Sequence, residues 1–456
     1  MKTIGLDIGT TTVCGVLVDA ETGRMLASRT LPNDAALPGS QPWERLQSPA
    51  RLETLCRSLV DAWADEYPDV AGIGISNQMH GMLYLDAHGE AVSPLATWQD
   101  ERGNRPLETG VSYAARLSAL TGYPMATGYG FCTHWHHLQN GTVPAGAAKL
   151  CTIGDYIALR LTGETAPRMH ATNAAGFGLY DLRTGGFDRP MLKAAGIAES
   201  WLPAVETAPV CAGKTPLGQT VTVAIGDNQA GFFGSGSGEG AVLVNIGTSG
   251  QVSMLADTAE TGPDIDARPY LGGRMLAVGC SLCGGEAYAA LKRFFQRAAD
   301  LMNVKPGPLY AAMNAAAEAL YDAPGRLNGL RVDTRLCGTR ADASLRASVQ
   351  GLGLDTFTPE HLTLGVLCGI CDELLGYWRA MPAHAEARRL VGSGNGLRKN
   401  LLLRRIVSEA FGMPMQVPLY EEEAAYGVAL LSLHTLGLYA APQDAQALIP
   451  YQNAEG

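Results

Sequence analysis

Two short stretches of the chain share a pattern of a polar residue, an isoleucine, a glycine and two hydroxyl residues. Residues 6–11 read LDIGTT, and residues 244–249 read VNIGTS. Glycine lets a backbone approach a ligand closely, and the successive N–H groups and hydroxyls of such turns can hold phosphate without a cationic side chain. Each turn alone is typical of a β-hairpin. Two copies favour a phosphate clamp formed by Gly9, Thr10, Thr11, Gly247, Thr248 and Ser249.

The two turns differ in the residue that precedes the isoleucine. Asp7 holds this place in the first turn and Asn245 holds it in the second. A carboxylate repels phosphate unless a cation lies between them, and Mg²⁺ prefers oxygen ligands together with water. Asp7 is therefore the predicted Mg²⁺ ligand, whereas the second turn offers neutral donors alone.

A third polar cluster begins where residues 223–231 read VAIGDNQAG. The pattern predicts a strand that ends at Gly226 and presents Asp227 at its carboxyl end, a usual place for active groups in α/β sheets. A carboxylate there can orient a substrate hydroxyl and accept its proton, so Asp227 is the predicted general base. The alternative is that Asp227 caps the following helix.

A turn of small residues lies in the second half of the chain, where residues 390–400 read LVGSGNGLRKN. A strand-like run precedes this turn and a helical pattern follows it. Small residues would let a flat adenine lie against the backbone at Gly392, Gly394 and Asn395. The Gly-x-Gly-x-x-Gly spacing of a dinucleotide fingerprint is absent here.

Mixed strands and helices must position these motifs, which indicates an α/β architecture. Extended runs are predicted at residues 6–8, 13–18 and 70–76, and a helix is predicted near residues 48–63. A glycine-rich stretch, residues 234–240, separates the two similar turns. Chance similarity is one explanation of the repeat. Because each copy opens its own half, we instead predict two domains with one fold, 1–237 and 238–456.

Composition bounds the function classes. The chain has 456 residues, 46% of them hydrophobic and 17% charged, with a formal net charge of -10. A net-acidic surface argues against nucleic acid and anionic membranes as partners. The sequence opens without an export signal, so we expect ten reduced cysteines and a cytoplasmic location. No apolar run is long enough to cross a bilayer.

Together these motifs resemble the FGGY family of carbohydrate kinases, over nearly the whole chain and in the family's order. Residues 6–11 and 244–249 resemble its two phosphate motifs, and residues 226–227 resemble its catalytic aspartate motif. Residues 392–396 resemble its adenosine motif, and residues 423–429 resemble its late helix. The resemblance implies an α/β fold of two duplicated actin-like (ribonuclease H-like) ATPase domains with a cleft between them.

The same resemblance implies an ATP-dependent sugar kinase that uses Mg²⁺. It places Gly284 and Gly285 near the nucleotide, ATP mainly on the second domain and the sugar on the first. The expected partners are a small sugar and ATP, with no nucleic acid and no membrane, and a homodimer is left open.

Within the family, residues 75–81 and 97–102 are most similar to the sedoheptulose-phosphorylating subgroup, with the xylulose-phosphorylating subgroup next. The chain departs from the family's usual glycine at Asn77 and Glu101. Carboxylates and amides pair with sugar hydroxyls, and an indole face packs on C–H surfaces. The resemblance thus implies a ketose contacted by Gln78, Met79, His80, Trp98, Asp100, Asp227 and Asn228.

Several other patterns are better explained without chemistry. Residues 213–215 end like a P-loop, but the earlier glycine is missing, so we expect a loop. The pairs at Cys280 and Cys283 and at Cys368 and Cys371 are too far apart in sequence for a zinc ribbon. The histidines at positions 134, 136 and 137 have no nearby carboxylate or cysteine to complete a metal site, so ordinary helix faces are expected.

Two other function classes remain as alternatives. A non-catalytic sugar or nucleotide sensor on this fold would be expected to lack the base, yet Asp227 is present. An ATP-driven chaperone or filament protein would lack the predicted sugar pocket of residues 78–80 and 98–100.

Overall fold

The computed structural model describes residues 1–260, 262, 264–340 and 342–452. The strands of the first half are β1 Lys2–Ile8, β2 Thr12–Asp19, β3 Met25–Pro32, β4 Ala36–Leu37, β5 Leu46–Gln47, β6 Val70–Asn77, β7 Leu83–Leu85, β8 Leu95–Ala96, β9 Lys149–Cys151, β10 Arg168–His170, β11 Tyr180–Asp181, β12 Gly186–Phe187, β13 Ala204–Glu206, β14 Cys211–Lys214, β15 Thr220–Thr222 and β16 Ile225–Gly226. Its helices are α1 Pro49–Glu66, α2 Tyr113–Thr121, α3 Gly130–Asn140, α4 Ile153–Thr162, α5 Ala171–Phe177, α6 Arg189–Ala194 and α7 Asp227–Gly234.

The second half is also mixed. Its strands are β17 Ala241–Ile246, β18 Gly250–Ala256, β19 Ile265–Pro269, β20 Met275–Ser281, β21 Arg331–Asp333, β22 Ser348–Gln350, β23 Arg389–Ser393 and β24 Met415–Gln416. Its helices are α8 Gly284–Leu301, α9 Leu309–Tyr321, α10 Pro359–Ala380, α11 Asn395–Lys399, α12 Leu401–Phe411 and α13 Glu423–Thr435. No helix of the described ranges has the length and apolarity that a membrane crossing requires.

The chain forms two compact units. The first takes Met1–Gly236 with two later segments, Arg268–Met275 and Glu422–Pro450. The second takes Ser237–Ala267, Leu276–Glu421 and the residues from Tyr451. Assigning sugar binding to 1–237 and ATP binding to 238–456 stays a prediction.

The main sheets of the two units have the same strand order. In the first, β3-β2-β1-β6-β15 are neighbours, with β1 antiparallel to β2 and parallel to β6. In the second, β20-β18-β17-β23-β24 are neighbours, with β17 antiparallel to β18 and parallel to β23. The predicted repeat of one fold is therefore confirmed, and each similar turn joins the first two strands of its sheet.

The two sides of β1 pack against different helices. Ile4, Leu6 and Ile8 are buried on one side, in a cluster with apolar residues of α1 and α4. Helix α1 begins after Ser48, whose hydroxyl accepts the N–H of Arg51. On the other side α13 packs so closely that a Cβ added to Gly5 would meet a backbone carbonyl oxygen of that helix at 1.8 Å.

One expectation is wrong. Residues 213–215 were expected to form a loop, but Gly213 and Lys214 belong to β14, which pairs antiparallel with β15. The backbone is extended here because the chain adds β14, which begins at Cys211, to the edge of the first sheet.

Candidate active site

Asp7 and Asp227 come to the same end of the first sheet because β1 and β16 both run parallel to β6. Asp7 on β1 pairs in register with Ser76, and Ile225 on β16 pairs with the same serine. Asp227 follows two residues later as the first residue of α7. The helix cap is Gly226 rather than Asp227, so the capping alternative does not describe this side chain.

The surroundings of this acidic pair favour its protonated forms. Desolvation raises the pKa of Asp7 to about 7, and the nearby charges of Asp227 and Glu422 add to this, against a 2.8 Å hydrogen bond from the Ser76 hydroxyl. Desolvation also raises the pKa of Asp227 to about 6. The N–H of Asn228, at 2.7 Å, and the charge of Arg268 oppose that rise. Asp227 thus has the proton affinity of a general base near neutral pH.

Gln78, a predicted sugar contact, hydrogen-bonds to Thr10, a predicted phosphate ligand in the first turn. Its Oε1 accepts a 3.2 Å hydrogen bond from the Thr10 hydroxyl, and its Nε2 donates to Gln47 at 2.9 Å. The Gln47 amide in turn donates to the Thr10 carbonyl oxygen. Thr10 also accepts a hydrogen bond from the indole Nε1–H of Trp98 at 2.9 Å. Gly9 and Thr11 lie beside Thr10 in the same turn, where the Gly9 N–H donates to Thr12.

Met79 and His80 follow Gln78 at the end of β6. Met79 is buried, and a Cβ added to Gly226 would meet its sulfur at 2.8 Å. His80 adopts a left-handed backbone, with φ of 73°. Its ring stacks on Tyr129 with centroids 4.7 Å apart. Such backbone conformations in residues other than glycine are uncommon and concentrate at functional sites.

The loop after β8 holds Trp98 and Asp100 in different surroundings. The Trp98 side chain is 45% exposed. Asp100 is fully buried, and its carboxylate accepts four hydrogen bonds, from the backbone N–H of Arg45 and from the backbone and guanidinium of Arg102. A carboxylate offers about four acceptor positions. These bonds fill them, so the predicted bond from Asp100 to a sugar would have to displace one.

The two departures from the family pattern also differ. Glu101 is exposed, and its N–H donates to the Trp43 carbonyl oxygen. Asn77 is buried and exchanges side-chain hydrogen bonds with Asn173, the shorter at 2.9 Å. Asn77 is therefore a structural partner of Asn173 on α5.

Sequence reasoning missed several residues around the acidic pair, because they come from distant parts of the chain. Arg268 donates to Asn228, and Tyr129 stacks on His80. Glu422, which directly precedes α13, places its charge near Asp7. The Gly128-Tyr129-Gly130 stretch was a signal for Tyr129. No pattern pointed to Arg268.

The second unit repeats the arrangement of the first with neutral groups. Asn245 pairs in register with Ser393, and its Nδ2 donates to the Ser393 hydroxyl at 2.7 Å. This bond matches the one between Ser76 and Asp7. The second turn is closed by the Gly247 N–H, which donates to Ser249 at 3.0 Å. It has three residues between its last paired positions, against four in the first turn.

A cavity of about 480 Å³ opens beside this second turn. Of the predicted nucleotide residues, Gly247, Thr248, Gly285 and Asn395 line it. The predicted motifs also supply Ile246, Gly396, Lys399 and Asn400. Residues that sequence reasoning missed complete the lining, namely Glu286, Tyr288, Ala289, Tyr310, Asn314, Leu367, Ile370 and Leu403. The rings of Tyr288 and Tyr310 stack at 5.7 Å. The cavity thus joins flat apolar surfaces to backbone donors, as a purine nucleotide requires.

The other predicted nucleotide residues shape this region without lining the cavity. A Cβ on Gly284 would meet the Ser249 backbone at 2.5 Å, and a Cβ on Gly392 would meet the Met415 sulfur at 2.3 Å. Gly394 has φ of 82° and lies against Ile246. Their side-chain-free backbones let α8 and α11 approach the turn.

The donor set around Asp7 is compatible with Mg²⁺. Two carboxylates with raised pKa values lie close enough to repel each other, and a divalent cation favours the ionised form of both. Among the described residues no three His, Cys, Asp or Glu side chains group as a metal cage. Mg²⁺ commonly takes one or two carboxylates and completes its shell with water and substrate phosphate, so this setting is compatible with Asp7 as the predicted ligand.

Models of one protein family match both halves of the chain. The family model for the N-terminal domain of the FGGY family of carbohydrate kinases matches residues 2–234, and that for the C-terminal domain matches residues 242–436. Sedoheptulokinase from Mus musculus is 28% identical over 94% of this chain and 97% of its own length. Xylulose kinase from Streptomyces coelicolor is 26% identical over 93% of this chain and 86% of its own. Among solved structures, xylulose kinase from Rhodospirillum rubrum superposes with a TM-score of 0.84 at 21% identity, covering 99% of this chain and 93% of that one.

Proposed function

Because the chain belongs to the FGGY family of carbohydrate kinases, we propose that this ATP-dependent sugar kinase phosphorylates sedoheptulose to sedoheptulose 7-phosphate. The observation that carries the reaction is the acidic pair, in which Asp227 combines a pKa near 6 with a position beside Asp7. The near-complete mutual coverage with sedoheptulokinase from Mus musculus favours this sugar.

In the proposed reaction Asp227 orients the terminal sugar hydroxyl and accepts its proton as the oxygen attacks the γ-phosphorus of ATP. The proton moves to the Asp227 carboxylate, and ADP leaves with the bond to the γ-phosphoryl group broken. Arg268 holds Asn228, so that the Asn228 N–H keeps its bond to Asp227. When bound at Asp7, Mg²⁺ would neutralise charge on the phosphates.

We assign sugar binding to residues of the first unit and adenosine binding to residues of the second. The proposed sugar contacts of the first unit are Gln78, His80, Trp98 and Asn228. Gln78 and Trp98 hydrogen-bond to Thr10, the Asn228 N–H donates to Asp227, and His80 follows Gln78 by two residues. In the second unit the cavity at Gly247 and Asn395 is the proposed adenosine site. We further propose a cytoplasmic location for the enzyme.

Xylulose is the second candidate sugar, because xylulose kinase from Streptomyces coelicolor also matches along most of both chains. A longer ketose has additional hydroxyls, and a pocket polar group left without a partner costs about 1–3 kcal/mol. We therefore expect a higher kcat/KM for sedoheptulose than for xylulose.

Competition kinetics with both sugars in one assay test this proposal. Product formation at limiting enzyme, followed by mass spectrometry, gives the ratio of the two kcat/KM values directly. A ratio of about ten or more in favour of xylulose would contradict sedoheptulose as substrate and leave the kinase activity standing. Glycerol serves as a control, since it lacks the keto group and most of the hydroxyls.

A further inference from the structure

Trp98 sits at the tip of a turn whose two ends are tied to the same residue. The turn is closed by the Asp100 N–H, which donates to the Thr97 carbonyl oxygen at 3.0 Å. At one end the Thr97 N–H donates to the Arg45 carbonyl oxygen at 3.0 Å. At the other end the Arg45 N–H donates to the Asp100 carboxylate at 3.1 Å. The direction of the indole toward Thr10 therefore depends on where the Asp100 carboxylate is held.

Arg102 holds that carboxylate in a two-point contact. Its Nε and Nη2 donate to the two oxygens of Asp100 at 2.6 and 3.0 Å, and both side chains are buried. Glu44 lies 3.7 Å from the same guanidinium. The remaining nitrogen, Nη1, donates to Nε2 of His137 on α3. The fork geometry of arginine suits this arrangement, which a lysine ammonium cannot reproduce.

The hydrogen bond that Arg102 donates determines where the protons lie on His137, Tyr84 and His134. Arginine only donates, so His137 Nε2 must accept and its proton lies on Nδ1. That Nδ1–H faces the Tyr84 hydroxyl at 3.0 Å, and the Tyr84 hydroxyl faces His134 Nδ1 at 2.8 Å. Tyr84 accepts from His137 and donates to His134, which leaves the His134 proton on Nε2.

The opposite assignment fits less well. If His134 donated to Tyr84, the tyrosine would accept twice and its own O–H would lack an acceptor. His134 Nε2 is buried without a hydrogen-bond partner in the described structure, so the first assignment leaves one unmet group and the second leaves two. Burial lowers the pKa of His134 to about 4 and that of His137 to about 3, with the charge of Arg102 contributing to the latter. Both rings are neutral, as the chain of donors requires.

We propose that Arg102 is a positioning residue of the sugar site and sets sugar affinity by fixing Trp98 through Asp100. The neutral chain of His137, Tyr84 and His134 fixes the Arg102 guanidinium. This inference rests on the proposed function, because Trp98 is there a sugar contact. In this proposal Asp100 acts through Trp98 rather than as the predicted sugar acceptor, because its carboxylate already accepts hydrogen bonds from Arg45 and Arg102.

Two measurements without substrate test the arrangement. Long-range ¹H–¹⁵N spectra of the nine histidines, assigned by substitution, report which ring nitrogen carries each proton. We expect the proton of His137 on Nδ1 and that of His134 on Nε2. The indole N–H resonance of Trp98, assigned with Trp98→Phe, is expected to shift in Arg102→Lys. An Nε2–H form of His137, or an unmoved Trp98 resonance, would overturn the proposal.

Kinetics then separate positioning from general stability. Arg102→Lys is expected to raise the KM for sedoheptulose by about tenfold or more, since small misplacements of site groups cost up to about 100-fold, while the KM for ATP stays near wild type. Tyr84→Phe keeps the ring and breaks the chain, so it gives the same split if Arg102→Lys fails to fold. His136→Gln, on the same helix and outside the chain, is the matched control. Equal changes in both KM values, or none, would overturn the proposal.

These experiments distinguish a wrong substrate from a wrong positioning role for Arg102. If the wild-type protein phosphorylates no sedoheptulose, the proposed substrate fails. The histidine tautomers and the Trp98 resonance still decide the positioning role, because neither needs a sugar.

Discussion

Arg268 donates a hydrogen bond from Nη1 to Oδ1 of Asn228 across 3.0 Å. Asn228 follows Asp227 directly, and its N–H donates to the Asp227 carboxylate at 2.7 Å. One arginine therefore orients the neighbour of the proposed base and also lowers the pKa that desolvation raises. The proton affinity of Asp227 is a balance between these two effects.

Asp227→Asn keeps the size of the side chain but removes its ability to accept a proton. We expect kcat to fall by roughly two to four orders of magnitude, with sugar affinity largely retained. Steady-state kinetics and calorimetric titration of sedoheptulose measure the two quantities. Activity within a few-fold of wild type would show that the base lies elsewhere.

The pH dependence of kcat/KM should report Asp227. Its pKa of about 6 predicts activity that rises as pH increases through that value, because only the ionised form accepts a proton. Arg268→Gln removes a charge that lowers this pKa, so the acid limb should move to higher pH. Arg268→Lys keeps the charge and serves as the control. An acid limb that stays in place in Arg268→Gln would contradict the assignment.

Asp7→Asn should stabilise the protein while impairing it. Desolvation raises the pKa of Asp7 in the folded protein to about 7, above the ordinary value of 3.8, so its ionisation lowers the free energy of unfolding as pH rises from about 4 to about 7. Asparagine keeps an acceptor for Ser76 and removes that charge, so at pH 8 we expect a gain on the order of 1–3 kcal/mol.

The same variant should lose the Mg²⁺-dependent part of the rise in melting temperature that ATP produces in the wild type. Asp65→Asn, on the exposed side of α1, is expected to change neither quantity. An Asp7→Asn protein that is less stable at pH 8 and still responds fully to Mg²⁺ would refute the proposed metal role.

Gly247→Ala tests the cavity of the second unit. No atom lies within 4 Å of a Cβ built on Gly247, and this residue lines the cavity, so the methyl group should fold without strain and intrude on a nucleotide. We expect the KM for ATP to rise about tenfold, which is about 1.4 kcal/mol, with an unchanged melting temperature in the absence of ATP. Gly376→Ala, also unobstructed and on α10, is the control. An unchanged KM for ATP would move the nucleotide site elsewhere.

Local pattern predicted the parts of this fold that depend on neighbouring residues. The strands at residues 6–8, 13–18 and 70–76 and the helix near residues 48–63 are all confirmed, because alternation and capping residues are local signals. The repeat of the two turns is confirmed by the shared strand order. The predicted strands and helix, and each copy of the turn, can be recognised from a few adjacent residues.

What the sequence could not indicate depends on contacts between distant segments. Arg268 lies 40 residues from Asn228 along the chain, and Tyr84 lies 50 residues from His134. His134 and His137 were expected on ordinary helix faces, yet both hydrogen-bond to the same buried hydroxyl. Asp100 was predicted as a sugar ligand because its chemistry suits one, and only the position of Arg102 reveals how its oxygens are used.

Helix α13 completes the first unit, although residues 276–421 of the second unit precede it in the chain. A Cβ on Gly5 would meet Ala425 at 1.8 Å and one on Gly74 would meet Val428 at 1.9 Å, so this helix fits directly onto β1 and β6. Until residues 423–435 have emerged, that face of the first two parallel strands has no cover, whereas residues 276–421 of the second unit are already made. We therefore expect the first unit to complete its fold only after most of the second unit has been translated, whereas the N-terminal domain of a nascent chain usually folds first. During that interval we expect the growing polypeptide to expose to chaperones the face of β1 and β6 that α13 later covers.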